Sequence, residues 1–130
     1  MFSHVTVGVS DFERAFAFYD PILSLLGFEL KFREDDQPWA GWKAPDADRP
    51  LFVINTPLDG KAATVGNGSM TAFLASSRSQ VDAAYNAAIA AGAVSEGEPG
   101  LRPEYHAHYY GAYFRDPDGN KLCVCTHGSE

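Results

Sequence analysis

The stretch Asp116-Pro117-Asp118-Gly119-Asn120 decides the fold of the C-terminal part of the chain. Pro117 presets φ at the first central position of a tight turn, and Gly119 allows a positive φ. Runs rich in β-forming residues flank this turn at 109–115 and 121–126. The pattern therefore predicts a β-hairpin close to the C-terminus.

Two segments of the chain repeat one order of features, at 4–27 and again at 70–92. Each begins with a strand of period two, continues with a capping-box sequence and an amphipathic helical pattern, and ends at glycine. Ser10 and Ser77 are the expected N-caps, and Pro21 predicts a kink or break in the first helix. The recurrence predicts an internal duplication.

The rest of each half is rich in short strands. They are predicted at 28–33, 39–43, 51–55, 109–115 and 121–126, with a weak strand near Val94 and a loop over 97–103. Strands that follow a helix in groups, and do not alternate with helices, indicate an α+β layer and not a parallel α/β sheet.

The composition excludes several classes of function. The chain of 130 residues has a formal net charge of −7, and its Lys and Arg residues are scattered, so we expect no nucleic-acid partner and no membrane partner. No apolar stretch approaches the ~20 residues that span a bilayer. Two cysteines without a signal-like N-terminus predict free thiols and a cytoplasmic location.

Two βαβββ modules in this order resemble the vicinal-oxygen-chelate superfamily, which includes glyoxalase I, extradiol dioxygenases and bleomycin-resistance proteins. The resemblance rests on the opening strand with His4, on Gly66-Asn67-Gly68 and on the turn at 116–120. It implies an α+β fold in which both modules form one curved mixed-sheet cup. The whole chain is then a single domain, with module one at about 1–60 and module two at about 67–127, and we expect a homodimer.

The resemblance also implies a metal site that this chain does not supply. In metal-dependent members, four inward strand positions carry His, Glu or Gln ligands. These positions correspond to His4, a residue near Phe52, Met70 and Cys123. Divalent metals at such sites prefer imidazole and carboxylate donors, so we expect no cofactor. If a divalent metal does bind, His4 and Cys123 are the expected ligands.

A second group of chemically active residues lies at 101–110, where one Arg, two His and three Tyr fall within ten residues. His106, like His4, is a candidate for acid–base catalysis because imidazole transfers protons near neutral pH. A polar rim with exposed histidines is the alternative. Cys123 and Cys125 share a strand face, so a soft-metal site that adds His4 or His127 also stays open.

These residues together predict a concave pocket for a small, partly apolar ligand. The pocket is expected to contain His4, Phe52, Met70, Tyr110 and Cys123, with Trp39 and His106 near its mouth. Three functions fit it: metal-free binding or sequestration, a metal-dependent lyase, isomerase or dioxygenase with an unusual ligand set, and a metal-free acid–base enzyme. An enzyme of this kind is expected to be similar to lactoylglutathione lyase or to a dioxygenase.

Overall fold

The structure, a computed structural model, describes residues 1–130. The chain consists of two compact units, Met1–Val65 and Gly66–Glu130, here called unit 1 and unit 2. No helix has the length and apolar character that crossing a membrane requires.

Unit 1 contains one helix and four strands. These are β1 (His4–Gly8), α1 (Phe12–Leu25), β2 (Glu29–Glu34), β3 (Trp39–Lys43) and β4 (Leu51–Asn55). The strand order in the sheet is β1-β4-β3-β2. β1 pairs with β4 in parallel, and the other neighbours are antiparallel, so the sheet is mixed.

Unit 2 repeats this arrangement. Its elements are β5 (Thr71–Leu74), α2 (Arg78–Ala90), β6 (Val94–Leu101), β7 (Tyr110–Arg115) and β8 (Lys121–Thr126). The order β5-β8-β7-β6, with β5 parallel to β8, matches that of unit 1. The predicted α+β fold of two βαβββ modules is confirmed.

Each helix buries one face of its own sheet. In unit 1 the Trp42 ring stacks on Phe16 of α1 at 5.6 Å between centroids and is only 1% exposed. In unit 2 Phe114 is fully buried, with its ring 6.3 Å from that of Tyr85 of α2. Burial of such aromatic side chains supplies much of the stability of small domains. No helix packs on the opposite face of either sheet.

The turn between β7 and β8 forms as its sequence predicts. The buried carboxylate of Asp116 accepts hydrogen bonds from the backbone N–H of Asp118 at 2.9 Å, the backbone N–H of Asn120 at 2.8 Å and Asn120 Nδ2 at 2.9 Å. Gly119 has a φ of 96°, a backbone conformation that residues with a Cβ rarely adopt. One carboxylate thus satisfies three donors and fixes the hairpin.

The N-terminus of α1 differs from the prediction. Asp11, and not Ser10, is the N-cap, because its side chain accepts the N–H of Arg14 at 3.1 Å. Ser10 Oγ accepts the backbone N–H of Ala63 at 3.3 Å instead. In α2, Ser77 is the N-cap, as predicted.

The structure differs from two other expectations. α1 continues through Pro21 to Leu25, so the proline does not break the helix, and the alternative of a kink there stays a prediction. β6 occupies most of the segment predicted as a loop, and its pairing with β7 shifts register between Ser95 and Gly97 and again between Gly97 and Gly100. An edge strand with such irregularities accommodates the glycines and Pro99 that suggested a loop.

Candidate functional site

The face of the unit 1 sheet that lies opposite α1 is here called the open face because no helix packs on it, although Leu51 and Val53 on it are buried. Residues paired across neighbouring strands point to the same face, so the register defines its members. They include His4, Thr6, Gly8, Phe32, Glu34, Trp39, Gly41, Leu51, Val53 and Asn55.

Trp39 forms one wall of a groove at the end of this face. The groove has a volume of about 410 Å³ and is lined by Asp36, Gln37, Pro38, Trp39, Asn55, Thr56, Pro57 and Leu58. Trp39 Nε1 donates a hydrogen bond to Glu34 Oε1 at 2.5 Å, and the indole remains 40% exposed. The groove therefore presents a fixed aromatic surface to solvent.

A glycine allows the aromatic group beside the groove to pack closely. A Cβ at Gly41 would clash with the ring of Phe32, which therefore lies directly against the strand backbone. The Phe32 ring in turn lies 4.5 Å from that of Trp39. Gly41 and Phe32 thus support the position of the indole.

The groove combines apolar and polar groups. Pro38, Pro57 and Leu58 supply hydrocarbon surface beside the indole, whereas Asp36 and Asn55 supply polar side chains. Small-molecule sites in proteins are mostly apolar with a few polar groups that orient the ligand, and commonly measure roughly 300–1,000 Å³. Both the volume and the mixed lining of the groove fit that description.

The open face of unit 2 has different chemistry. The register places Ala72, Leu74, Gly111, Tyr113, Cys123 and Cys125 on it, opposite α2. The Tyr109 hydroxyl lies 2.9 Å from that of Tyr113 and 3.4 Å from Cys123 Sγ. A Cβ at Gly111 would lie 2.9 Å from the Tyr109 ring, so this glycine provides the space that the tyrosine occupies.

The two thiols on this face affect one another in opposite directions. The neighbouring Cys123 thiol is the main cause of a lowered pKa of Cys125, and Tyr109 and His127 act in the same direction against the effect of burial. The pKa of Cys123 is raised, first by the neighbouring Cys125 and then by burial. Burial is also the main cause of the raised pKa of Tyr109. The protonation of the two thiols is therefore linked.

Two histidines extend this group toward solvent. His127 Nε2 lies 3.8 Å from Cys125 Sγ, and His127 Nδ1 lies 2.9 Å from His106 Nε2. The His106 and His127 rings stack with centroids 5.1 Å apart. The sequence analysis names His106, His127, Cys123 and Cys125 here and includes Tyr109 in the group at 101–110, but it does not single out Tyr113. The role of His106 as acid or base stays a prediction.

Two predicted pocket residues face their helices instead. Phe52 lies on the α1 side of its sheet, with its ring 5.2 Å from that of Tyr19, because its neighbour Leu51 takes the face shared with His4. Tyr110 lies on the α2 side, where its hydroxyl donates to Asp82 Oδ1 at 2.6 Å. These two placements in the predicted pocket are therefore wrong by one residue of strand register.

The other predicted residues remain at the surface of their units or on the open faces. His4 is exposed, with Nδ1 at 2.9 Å from Ser3 Oγ, and shares its face with Trp39. Met70 lies just before β5 and is exposed. Cys123 lies beside Tyr109. Their roles in ligand binding stay predictions.

The residues at the positions of the family metal site do not fit a divalent metal. His4 offers an imidazole, but β4 offers only hydrocarbon at 51–53, and Met70 offers a thioether. Cys123 offers a single thiol, whereas divalent metals at such sites prefer imidazole and carboxylate donors. No group of three or more His, Cys, Asp or Glu side chains is arranged to hold a metal ion.

The sequence matches the Glyoxalase/Bleomycin resistance protein/Dioxygenase superfamily over residues 1–124. The chain belongs to this superfamily. A crystal structure of a glyoxalase/bleomycin resistance protein from Albidiferax ferrireducens T118 is similar to it, with 41% sequence identity and a TM-score of 0.84. That match covers 98% of this chain and 99% of the other.

Two more distant structures share the superfamily fold. A family enzyme from Burkholderia phytofirmans PsJN has 22% identity and a TM-score of 0.71, over 97% of this chain and 98% of that one. TnmS3, an antibiotic binding protein from Streptomyces sp. CB03234, has 23% identity and a TM-score of 0.67, over 98% and 96%. No curated protein matches the chain.

Proposed function

We propose that this superfamily member binds and sequesters a small, partly apolar molecule, and that it does so without the family's divalent metal. The observation that carries the proposal is the groove beside Trp39. Its volume is that of a small-ligand site, and its indole is held by the bond to Glu34 while one part of the ring stays exposed. A fixed ring loses little conformational entropy when a ligand packs on it.

The lining of the groove sets the ligand chemistry. The indole and the proline rings favour a flat or hydrocarbon group, and the Asp36 carboxylate favours a positively charged or hydrogen-bond-donating group. The ligand we propose therefore combines an apolar ring system with an amine or hydroxyl group. TnmS3, which shares the fold, is an antibiotic binding protein, and this supports a binding role.

Binding without a metal follows from the donors that the chain provides. One imidazole and one thiol at the family positions are fewer than the three firm protein ligands that a zinc site needs. We therefore propose that ligand recognition depends on the groove and not on a Lewis acid.

A fragment screen by ligand-observed NMR tests the groove. Fragments that bind the wild-type protein should lose about 1–3 kcal/mol of binding free energy in Trp39→Ala, the range typical of aromatic anchors. Phe2→Ala is the matched control, because Phe2 is an exposed aromatic residue of unit 1 outside the groove. Equal binding in wild type and Trp39→Ala would contradict the proposal.

We further propose a cytoplasmic homodimer. The exposed apolar side chains of Met70 and Leu74 lie at and near the open face of unit 2, and exposed apolar groups of this kind favour association. Light scattering at micromolar concentration should give twice the chain mass of 14.1 kDa. A mass equal to that of one chain would contradict the dimer.

A further inference from the structure

The last residue of β4 places a polar side chain next to the indole of the groove. Asn55 is the register partner of Trp39 across the β3–β4 pair, so both side chains lie on the open face. The backbone N–H of Thr56 donates to the Pro38 carbonyl at 3.2 Å, beside this pair and not within it. Trp39 and Asn55 are therefore a non-hydrogen-bonded pair, the kind whose side chains lie closer together. Because both residues line the groove, one ligand can contact both.

The Asn55 amide has no hydrogen-bond partner within the chain, whereas the indole N–H has one. Trp39 Nε1 donates to Glu34, so the indole offers a ligand its ring and not its N–H. Asn55 is half-buried, and neither polar atom of its side chain is sealed from solvent. Polar groups in such positions pair with water or with a ligand. The amide is therefore available to a ligand in the groove.

The backbone fixes the position of this amide on both sides. The Asn55 carbonyl accepts the backbone N–H of Val9 at 2.9 Å, so the end of β4 is bonded toward β1 as well as toward β3. Gly8 is the register partner of Asn55 on β1 and has no side chain to contact the amide. In the row across the sheet, the amide thus lies between an indole on one side and a glycine on the other.

We propose that the groove binds flat lactam-type rings, in which a ring N–H and the neighbouring C=O form one edge, and that Asn55 recognises this edge. An asparagine side chain has a C=O acceptor and an N–H donor side by side, so it can form two hydrogen bonds to such an edge. The Trp39 ring provides the surface on which the flat ring stacks. This inference rests on the proposed function and specifies the ligand class of the same groove.

The charged residue of the groove is less suited to this discrimination. Asp36 is exposed, and water and salt screen the interactions of an exposed carboxylate. An ionised carboxylate also only accepts hydrogen bonds, whereas a lactam edge presents one donor and one acceptor. Selectivity for the lactam edge therefore depends on Asn55, and Asp36 adds a general attraction for donors.

Two flat compounds that differ at one atom test the proposal on the wild-type chain. 2-Quinolone has the lactam edge, and 1-methyl-2-quinolone has a methyl group in place of the N–H. Ligand-observed NMR titrations should show that 2-quinolone binds about fivefold more tightly, the effect of one neutral hydrogen bond. Both compounds should bind more weakly to Trp39→Ala, which reports on the groove itself.

Substitutions at Asn55 separate recognition from stacking. Asn55→Ala should bind the two quinolones with equal affinity, because both partners of the lactam edge are gone. Asn55→Asp should bind protonated 2-aminoquinoline, which has two adjacent donors, about tenfold more tightly than wild type does, since a carboxylate pairs with such a cation. Asn86→Ala and Asn86→Asp are the matched controls, because Asn86 is an exposed asparagine of α2 in unit 2. Melting temperatures check that each variant folds.

The outcomes distinguish this inference from the proposed function. Equal affinity of wild type for the two quinolones, or a preference that persists in Asn55→Ala, would overturn the inference. The proposed function would still stand if both compounds bind and depend on Trp39. Failure of 2-quinolone to bind would also overturn the inference, and the fragment screen would then decide the proposed function separately. A preference of about fivefold that is lost in Asn55→Ala and kept in Asn86→Ala is the expected result.

Discussion

The open face of unit 1 presents an indole and a groove, whereas the same face of unit 2 presents two thiols, two tyrosine hydroxyls and a pair of histidines. The strand order and the position of the helix are the same in both units. The repeated backbone therefore sets which positions face outward, and the side chains at these positions set the chemistry. Function is a property of each face and not of the shared fold.

The largest expected effect distinguishes the two faces of one sheet. Trp42→Ala should lower the free energy of unfolding by about 3–5 kcal/mol, because Trp42 is buried between Phe16, Tyr19 and Phe52. Trp39→Ala, three residues earlier on the open face, should lower the free energy of unfolding by less than about 1 kcal/mol. Urea unfolding of both variants is the measurement, and equal losses would show that the assignment of faces is wrong.

The second prediction compares a turn from each unit. Asp116→Ala should lower the free energy of unfolding by about 2–3 kcal/mol, because it leaves three hydrogen-bond donors of the turn without their acceptor. Asp59→Ala in unit 1 removes a single exposed bond to the backbone N–H of Lys61 and should cost less than about 1 kcal/mol. Denaturant unfolding decides between these values, and a smaller loss for Asp116→Ala would contradict the role of its carboxylate.

The third prediction concerns the glycines that make room for aromatic rings. In Gly41→Ala the added Cβ would clash with the ring of Phe32 in unit 1. In Gly111→Ala it would clash with the ring of Tyr109 in unit 2. Both substitutions should lower the free energy of unfolding by about 1–3 kcal/mol, which is the usual effect of overpacking. Thermal melts of both variants are the measurement, and melting temperatures equal to that of the wild-type protein would contradict the close packing.

The smallest effect is a change in pH dependence. Because its pKa is lowered, Cys125 should remain a thiolate to a lower pH than an ordinary thiol, whose pKa is about 8.5, and should lose reactivity only below that pH. The rate of reaction with N-ethylmaleimide, measured against pH, should therefore have its midpoint below about 8.5 in wild type and at a higher pH in Cys123→Ala. A wild-type midpoint of about 8.5 would contradict the prediction.

The fold follows closely from the sequence because its signals are local. The strand and helix periods, the cap at Ser77 and the turn at 116–120 each act within a few residues. The errors arise where tertiary structure overrides a local signal. Pro99 and the nearby glycines suggested a loop, but an edge strand with two shifts in register tolerates them.

The site was harder to predict because strand register is not visible where both faces are apolar. The run 51–54 has no polar residue to mark a face, so Phe52 was placed one position away from the face that holds Leu51. Tyr109 and Tyr110 are adjacent and identical, so the choice between them needs the pairing with β8. The contact of His127 with His106 joins residues 21 positions apart and has no sequence signal.

The central claim is that this superfamily member binds its ligand without a metal, and one paired measurement tests it directly. A fragment found in the NMR screen is titrated calorimetrically into protein as purified and into protein dialysed against EDTA, with the metal content of both determined by elemental analysis. We predict the same affinity in both samples and well under one equivalent of metal per chain. A stoichiometric metal whose removal abolishes fragment binding would contradict the claim.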